Sequence, residues 1–411
     1  MFGHITKEGN NSFMSWLLFP LLVLCLTACS SDNDEPTDII VPENPHRIPT
    51  GTDTKLYVYV YKPNTAVPTR AYVGDVDPIS NEDVIYQLQI WIFTHESDKL
   101  IGYFSSTESS ALNTGDNYEI YQVTIDETYA QTEEASREHA DVYVLANVSA
   151  GNCNLTLDHT ATQAELEAAL LKKTTADPFG VTAPVRAVPE NTGLPMSGVL
   201  RNQPVTGSAP VLRLGDAEIA TVMLRRIVSK LRFAFSRQTG SDPLQINSIK
   251  LNTEMIPMSE YLFMTEEHPY DRKTCHIKTD DGYDAAVSNL LDEAISDVAV
   301  NTNPVIYAWG YEELEPQTYE SMLDDAVAAG HLTQRMFFLR ESDKLLQGEI
   351  KYQVGSGEEQ TATFTMIDEG GFSRNHIWTI YAYQAQAHLQ VVVAEVAPWR
   401  LTEENHSFYN W

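Results

Sequence analysis

Cysteine is scarce, with four in 411 residues. Cys25 falls in an N-terminal apolar run and Cys29 directly follows it. Cys153 and Cys275 stand far apart in sequence and read as isolated thiols, so no disulfide framework is expected. A zinc site would want Cys-x-x-Cys or paired histidines, and neither spacing is present. Bases are scarce too: 27 Lys and Arg against 57 Asp and Glu leave a formal charge of -30. Phosphate binding is driven by Lys and Arg displacing counterions, so a nucleic-acid partner is excluded, as is docking on anionic lipid by charge alone. Also missing are the Gly-x-Ser-x-Gly elbow, the Gly-x-x-x-x-Gly-Lys phosphate loop, Gly-x-Gly-x-x-Gly and His-Glu-x-x-His. No catalytic residue, metal or cofactor is expected, and the chain does not read as an enzyme.

What is present is a globular composition, 43% hydrophobic and 20% charged. At roughly 150 residues per domain it suits two or three domains. The single long apolar run, Phe13 to Ala28, is short for a spanning helix and reads as a secretory core. It closes on Leu26-Thr27-Ala28-Cys29, which resembles the bacterial lipobox, so residues 1–28 are expected to be a lipoprotein signal and Cys29 the lipidated residue. Lys7 beside Glu8 makes a weak basic head, and Met14 is an alternative start. Behind Cys29, the acidic Asp32-Asn33-Asp34-Glu35 reads either as a surface-export signal or as a solvated tether.

The body reads as strands. Short alternating runs recur between Gly, Pro, Asn and Asp. Leu56, Val58 and Val60 share one face of a strand whose other face carries Tyr57, Tyr59 and Tyr61. Tyr86 to Phe93 alternates as well, and Asp141 to Asn147 is apolar enough for a central strand. Ile227, Ser229, Leu231, Phe233 and Phe235 line a strand with Lys230 and Arg232 opposite. Further strands are expected at 244–251, 335–339, 349–354, 361–366, 377–383 and 389–396, with a hairpin turn at Gly355-Ser356-Gly357. Helices are expected at Thr162–Lys173, from a Thr162/Glu165 capping box, at Thr318–Ala329, and more weakly at Asp284–Ile295. The fold class is mainly β, of the sandwich type, with a domain boundary near 208 at the end of a Pro- and Gly-rich stretch.

Other candidate sites carry little. Asp75, Asp77, Asn81 and Asp83 faintly suggest a calcium loop but lack its Gly and closing Glu. Tyr57, Tyr59, Tyr61 and Trp91 could stack on sugars, although packing against a second sheet fits them better. Glu358-Glu359 is one of many acidic pairs expected by chance in so acidic a chain.

A family resemblance emerges from the order of several short motifs. They are the lipobox, an acidic tether, a strand, Thr69-Arg70-Ala71-Tyr72-Val73-Gly74-Asp75, and a strand ending Ile90-Trp91-Ile92-Phe93. Val142 to Asn147, Arg225 to Leu231, Arg374 to Trp378, and the stretch from Ala397-Pro398-Trp399 to Asn410-Trp411 follow. The series resembles the fimbrillins, type V pilin precursors of Gram-negative anaerobes, across nearly the whole chain. That resemblance implies two transthyretin-like Greek-key β-sandwich domains with a few short helices. It also implies an outer-membrane lipoprotein precursor, held by the lipid on Cys29, that is cut by an Arg-specific surface protease and becomes part of an extracellular fimbrium.

Carried onto this chain, residues 29–70 are the tether and removable first strand. Residues 71–208 form the N-terminal domain, and 209–411 the C-terminal domain with its donor strand. The cut falls between Arg70 and Ala71. The removed strand plugs with Leu56, Val58 and Val60. Its slot is refilled by a strand from another fimbrial subunit, in a homo- or hetero-polymer that contributes to adhesion. The donor runs from Trp399 to Trp411, with Trp399, Leu401, Phe408 and Trp411 as its apolar residues, although Thr402 to Asn405 make it polar in the middle. A tip or anchor subunit, or a monomeric surface lipoprotein that binds glycan or a host ligand, stands as the alternative.

Overall fold

The computed structural model describes residues 54–63, 82–106, 111–114, 118–172, 188, 191–216, 220–251, 256–264, 275–283, 289–301, 326, 328–366 and 371–398. They are mainly strands, stacked as sandwiches around two apolar cores within a unit that runs from Thr52 to Trp411.

The first sandwich has a sheet built from Lys55–Tyr61 (β1), Asn113–Thr114 (β4), Tyr118–Thr124 (β5), Val205–Ser208 (β9), Val211–Leu214 (β10) and Thr221–Met223 (β11). Its order is β4-β5-β1-β10-β9, with β11 also paired to β1. The facing sheet uses Leu88–Thr94 (β2), Leu100–Ser105 (β3), Ala140–Ala146 (β6), Met196–Gln203 (β8) and Arg225–Arg226 (β12), in the order β12-β8-β6-β2-β3. Alternation explains the packing, because residues two apart share a face. Leu56, Val58 and Val60 of one sheet meet Leu88, Ile90, Ile92, Val142 and Val144 of the other in one core. Both faces of β6 are buried along its whole length, as befits a central strand. On the outer side of that sheet, Trp91, Phe93, Tyr143 and Leu145 pack under Leu157, Ala161, Leu166, Leu262 and Phe263. Leu212, Leu214, Val222 and Leu224, all beyond the expected boundary near 208, pack in this first core, and the second core begins at Leu231.

The second sandwich pairs a sheet of Val228–Gln238 (β13), Val300–Asn301 (β16), Thr333–Arg340 (β17), His376–Ala385 (β20) and His388–Pro398 (β21) with a meander of Leu244–Leu251 (β14), Leu346–Val354 (β18) and Gln360–Met366 (β19). β13 runs parallel to β20 and antiparallel to β17, so it is flanked on both sides. The β18–β19 hairpin turns at Gly355, whose φ of 56° favours glycine. Between the sandwiches, Leu170–Lys172 (β7) pairs with Ser259–Tyr261 (β15).

Two helix expectations are corrected. The Thr162–Glu165 capping box forms, but its helix stops at Glu167. Leu170 to Lys172 extend instead to pair with β15, so long-range pairing overrides a helical stripe of Leu166, Ala169 and Leu170. In the described part of 284–295, Asn289 and Ile295 make antiparallel bridges to Lys250 and Ile246, covering the flank of β14 as extended chain. Most of 318–329 lies outside the described residues.

Candidate functional site: the slot held by the first strand

β1 is an interior strand. It pairs antiparallel with β5 over all seven residues, parallel with β10 through Lys55–Tyr57, and parallel with β11 through Tyr59–Tyr61. Its ends are pinned as well. The Lys55 N–H donates to the Pro210 carbonyl at 3.0 Å, the Ile125 N–H to the Thr54 carbonyl at 3.0 Å, and the Leu224 N–H to the Tyr61 carbonyl at 2.9 Å. Leu56, Val58 and Val60 are each 0% exposed. Directly opposite them on β5 stand Val123, Tyr121 and Glu119.

The other face of β1 is polar and aromatic. The Tyr57 hydroxyl accepts from Gln122 Nε2 at 2.8 Å, and the Tyr61 ring lies 6.0 Å from that of Tyr118. Tyr59 is buried, and burial pushes its hydroxyl pKa up against the opposing charge of Arg213. Just beyond the strand, Lys62 Nζ stands 3.9 Å from the Glu119 carboxylate. Glu119 also accepts from the Tyr121 hydroxyl, whose pKa is raised first by burial and then by that bond.

The segment that follows β1 is gripped at both ends by one buried charge cluster. Arg226 donates to the Pro63 carbonyl through Nη2 and to the Glu82 carbonyl through Nε, each at 3.2 Å. Lys230 Nζ pairs with the Glu82 carboxylate at 2.6 Å, and all three side chains are almost fully buried. Burial draws Arg226 down to about 10 and lowers Lys230, with Glu82 opposing in both cases. Lys230 and Arg232 are therefore buried, although their types on an alternating strand resemble those of a solvated face. The Glu82 partner, nearly 150 residues earlier, is what sequence alone did not reveal.

Of the expected site residues, Leu56, Val58 and Val60 come together in the core beneath β1. Cys29, Arg70, Ala71, Trp399, Leu401, Phe408 and Trp411 lie outside the described residues, as do Asp75, Asp77 and Asn81. The sugar-stacking set does not assemble. Trp91 is fully buried on the opposite sheet, its Nε1 donating to the Asp158 carbonyl at 2.8 Å, while the three tyrosines line β1. Among the described residues, no three His, Cys, Asp or Glu side chains are placed to share a metal ion.

A second polar cluster braces β7, β15, β17 and the segment just before β20. Arg374 Nε donates to Glu341 Oε1 at 2.8 Å, and its Nη2 donates to the Tyr261 carbonyl at 2.8 Å. Arg340 Nε lies 3.1 Å from Glu260 and its Nη2 donates to the Leu171 carbonyl at 2.7 Å. The His276 backbone N–H donates to Glu341 at 3.0 Å. Burial pushes the Glu341 carboxyl upward, but the Arg374 charge and the His276 contacts outweigh it and hold the pKa at about 2. The side chains of the cluster are buried, and it reads as a structural brace.

These features define a mainly β, sandwich-type protein whose first strand is an interior member of its sheet. No family model and no curated protein matches the chain. Among solved structures, it is similar to the tip fimbrial protein Mfa3 of Porphyromonas gingivalis, crystallised with a C-terminal truncation. That match has 12% identity over 84% of this chain and 100% of that one, with a TM-score of 0.46. It is also similar to a fimbrial assembly protein of Parabacteroides distasonis, at 14% identity, 84% and 97% coverage and a TM-score of 0.39. A third is the fimbrial anchor protein Mfa2 of Porphyromonas gingivalis, at 10% identity, 84% and 98% coverage and a TM-score of 0.32.

Proposed function

We propose that this chain is a fimbrial subunit of the fimbrillin type. In this reading it is exported as a lipoprotein through Cys29 and cut between Arg70 and Ala71 by an Arg-specific surface protease. It is then incorporated into an extracellular fimbrium by exchanging β1 for a strand of another subunit. The observation that carries the reading is the place of β1. It is the strand on the N-terminal side of the expected cut, it sits inside its sheet, and it plugs the core with Leu56, Val58 and Val60. Loss of such a strand uncovers backbone donors and acceptors on both neighbours and an apolar floor. Strand addition repairs both at once. The segment from Trp399 onward, with Trp399, Leu401, Phe408 and Trp411 as its apolar residues, would act as donor to a neighbouring subunit, and no catalytic role is assigned.

The test is limited digestion of the purified precursor with trypsin, followed by N-terminal sequencing and incubation with the other fimbrial subunits of the same cells. A product beginning at Ala71 that gives up the fragment carrying β1 as SDS-resistant oligomers form is the expected result. A chain left whole at Arg70, or one that is cut and never exchanges its first strand with any partner, overturns the reading.

A further inference from the structure

We infer, on the basis of the exchange reading above, that the β1 slot is filled by a different polypeptide and not by the 399–411 segment of a second copy. The partner strand carries aliphatic residues at three alternate positions and a Lys or Arg two residues beyond the third. The slot itself specifies this pattern. Its three inward positions are held by Leu56, Val58 and Val60, none exposed, over a floor that includes Ile90, Val123, Val144, Leu212 and Val222. The third position faces Glu119 directly across the strand pair. Two residues on, Lys62 reaches toward that same carboxylate, and both side chains are only 12% exposed.

Residues 399–411 do not offer this pattern. Between Trp399 and Trp411 no three alternate positions are all apolar. Laid parallel to β1 with Trp399 at the place of Leu56, the segment puts Leu401 at Val58 and Glu403 at Val60. Glu403 would then face Glu119, and like charges directly opposed across a strand pair repel. Moved two residues along, the segment puts Glu403 at Val58, opposite Tyr121, whose hydroxyl already donates to Glu119. Run in the opposite direction from Trp399 at Val60, it buries Glu403 at Leu56 between Val123 and Leu212. Each placement sinks a carboxylate into an apolar floor, where it must take up a proton or find a cation.

One register that avoids Glu403 sets Trp399 at Val58 and Leu401 at Val60. It draws Ala397 into the first position and so out of its pairing with Ile377 in β21. It also forces an indole into a fully buried valine site, an overpacked arrangement. Phe408 brings His406 and Asn410 to the flanking inward positions, and Trp411 brings Tyr409 and Ser407, which sets two large aromatics in sites fitted to aliphatic residues. Charge, size and prior engagement therefore all turn the segment away from its own kind of slot, which places this subunit at a junction between unlike chains.

The test uses the full chain with a sequence-specific protease site in place of residues 66–71, so that it does not depend on Arg70. After cutting, four labelled peptides compete for the slot: residues 54–62, the same peptide with Val60→Glu, residues 397–411, and that peptide with Glu403→Val. The 54–62 peptide is expected to enter. The Val60→Glu and 397–411 peptides should bind about 100-fold more weakly, and Glu403→Val should recover about tenfold or more. The cut protein alone should form no ladders. A 397–411 peptide that binds within a few-fold of 54–62, or ladders formed by the cut protein alone, would overturn the inference while leaving strand exchange standing. Failure of the 54–62 peptide itself to enter would bring down the exchange reading and the inference with it.

Discussion

Replacing Glu341 with Gln tests the brace between the two sandwiches. The carboxylate is fully buried, takes the Arg374 Nε–H at 2.8 Å and the His276 backbone N–H at 3.0 Å, and has its pKa held at about 2. A carboxyl whose pKa is held below its ordinary value on folding, as here by the Arg374 charge, stabilises the native state at neutral pH. The sign follows from a lowered folded pKa: the contribution is complete above the unfolded value near 4.5 and is lost as pH falls through that value toward 2. Glu341→Gln removes the charge but leaves Arg374 buried, so the variant should be less stable by about 3–5 kcal/mol at pH 7. The gap should shrink steadily as both proteins are taken from pH 5 to pH 2, because the wild-type carboxyl is itself being neutralised. Urea unfolding suits the measurement, with Trp378 buried in β20 and Trp91 in β2 as reporters of the two sandwiches. A gap that is independent of pH, or below about 1 kcal/mol at pH 7, would refute the claim that this ion pair supports the fold.

Two further outcomes are expected. After a cut within 64–81, the fragment carrying β1 should stay with the protein on size exclusion until a competing strand is added. It keeps its pairing to β5, β10 and β11 and the Arg226 bond at Pro63, and loss of the fragment on cutting alone would contradict this. Cys153 and Cys275 should react slowly with a thiol reagent at neutral pH in the folded protein and fully in urea. Burial raises both thiol pKa values, and Glu341 adds to the rise at Cys275, so complete labelling within seconds under native conditions would contradict it.

What could be read from sequence follows the reach of each signal. Period-two alternation is local, so the strands around Leu56–Tyr61, Leu244–Leu251 and Glu349–Val354 are visible, as is the inward set Leu56, Val58 and Val60. β8, β9 and β10 are hidden in a stretch rich in Gly and Pro, since they owe their extension to β6 and β1, strands more than 50 residues earlier. The Thr162 capping box gives the start of its helix but not its end, which a strand from the second half decides. The buried state of Lys230 and Arg226 depends on Glu82 and Pro63, and no local pattern announces a partner that distant. A removable first strand is an expectation of the resemblance to fimbrillins. The interior position of that strand, the Glu119 across from Val60 and the clasp at Arg226 are set by residues far apart in the chain.

Taken together, the clasp and the slot separate cutting from release. A cut in 64–81 breaks the covalent link, but Arg226 still holds the Pro63 carbonyl on one side and the Glu82 carbonyl on the other. Three neighbouring strands still hydrogen-bond to β1, and its three plugs stay buried. An emptied slot would expose apolar floor and unpaired backbone to water, a state open to association with any strand edge. A strand that stays until it is displaced avoids that state. Under the proposed exchange, the rate depends on how well the incoming strand matches the slot, so the sequence that fits between β5 and β10 would also decide when the first strand is released.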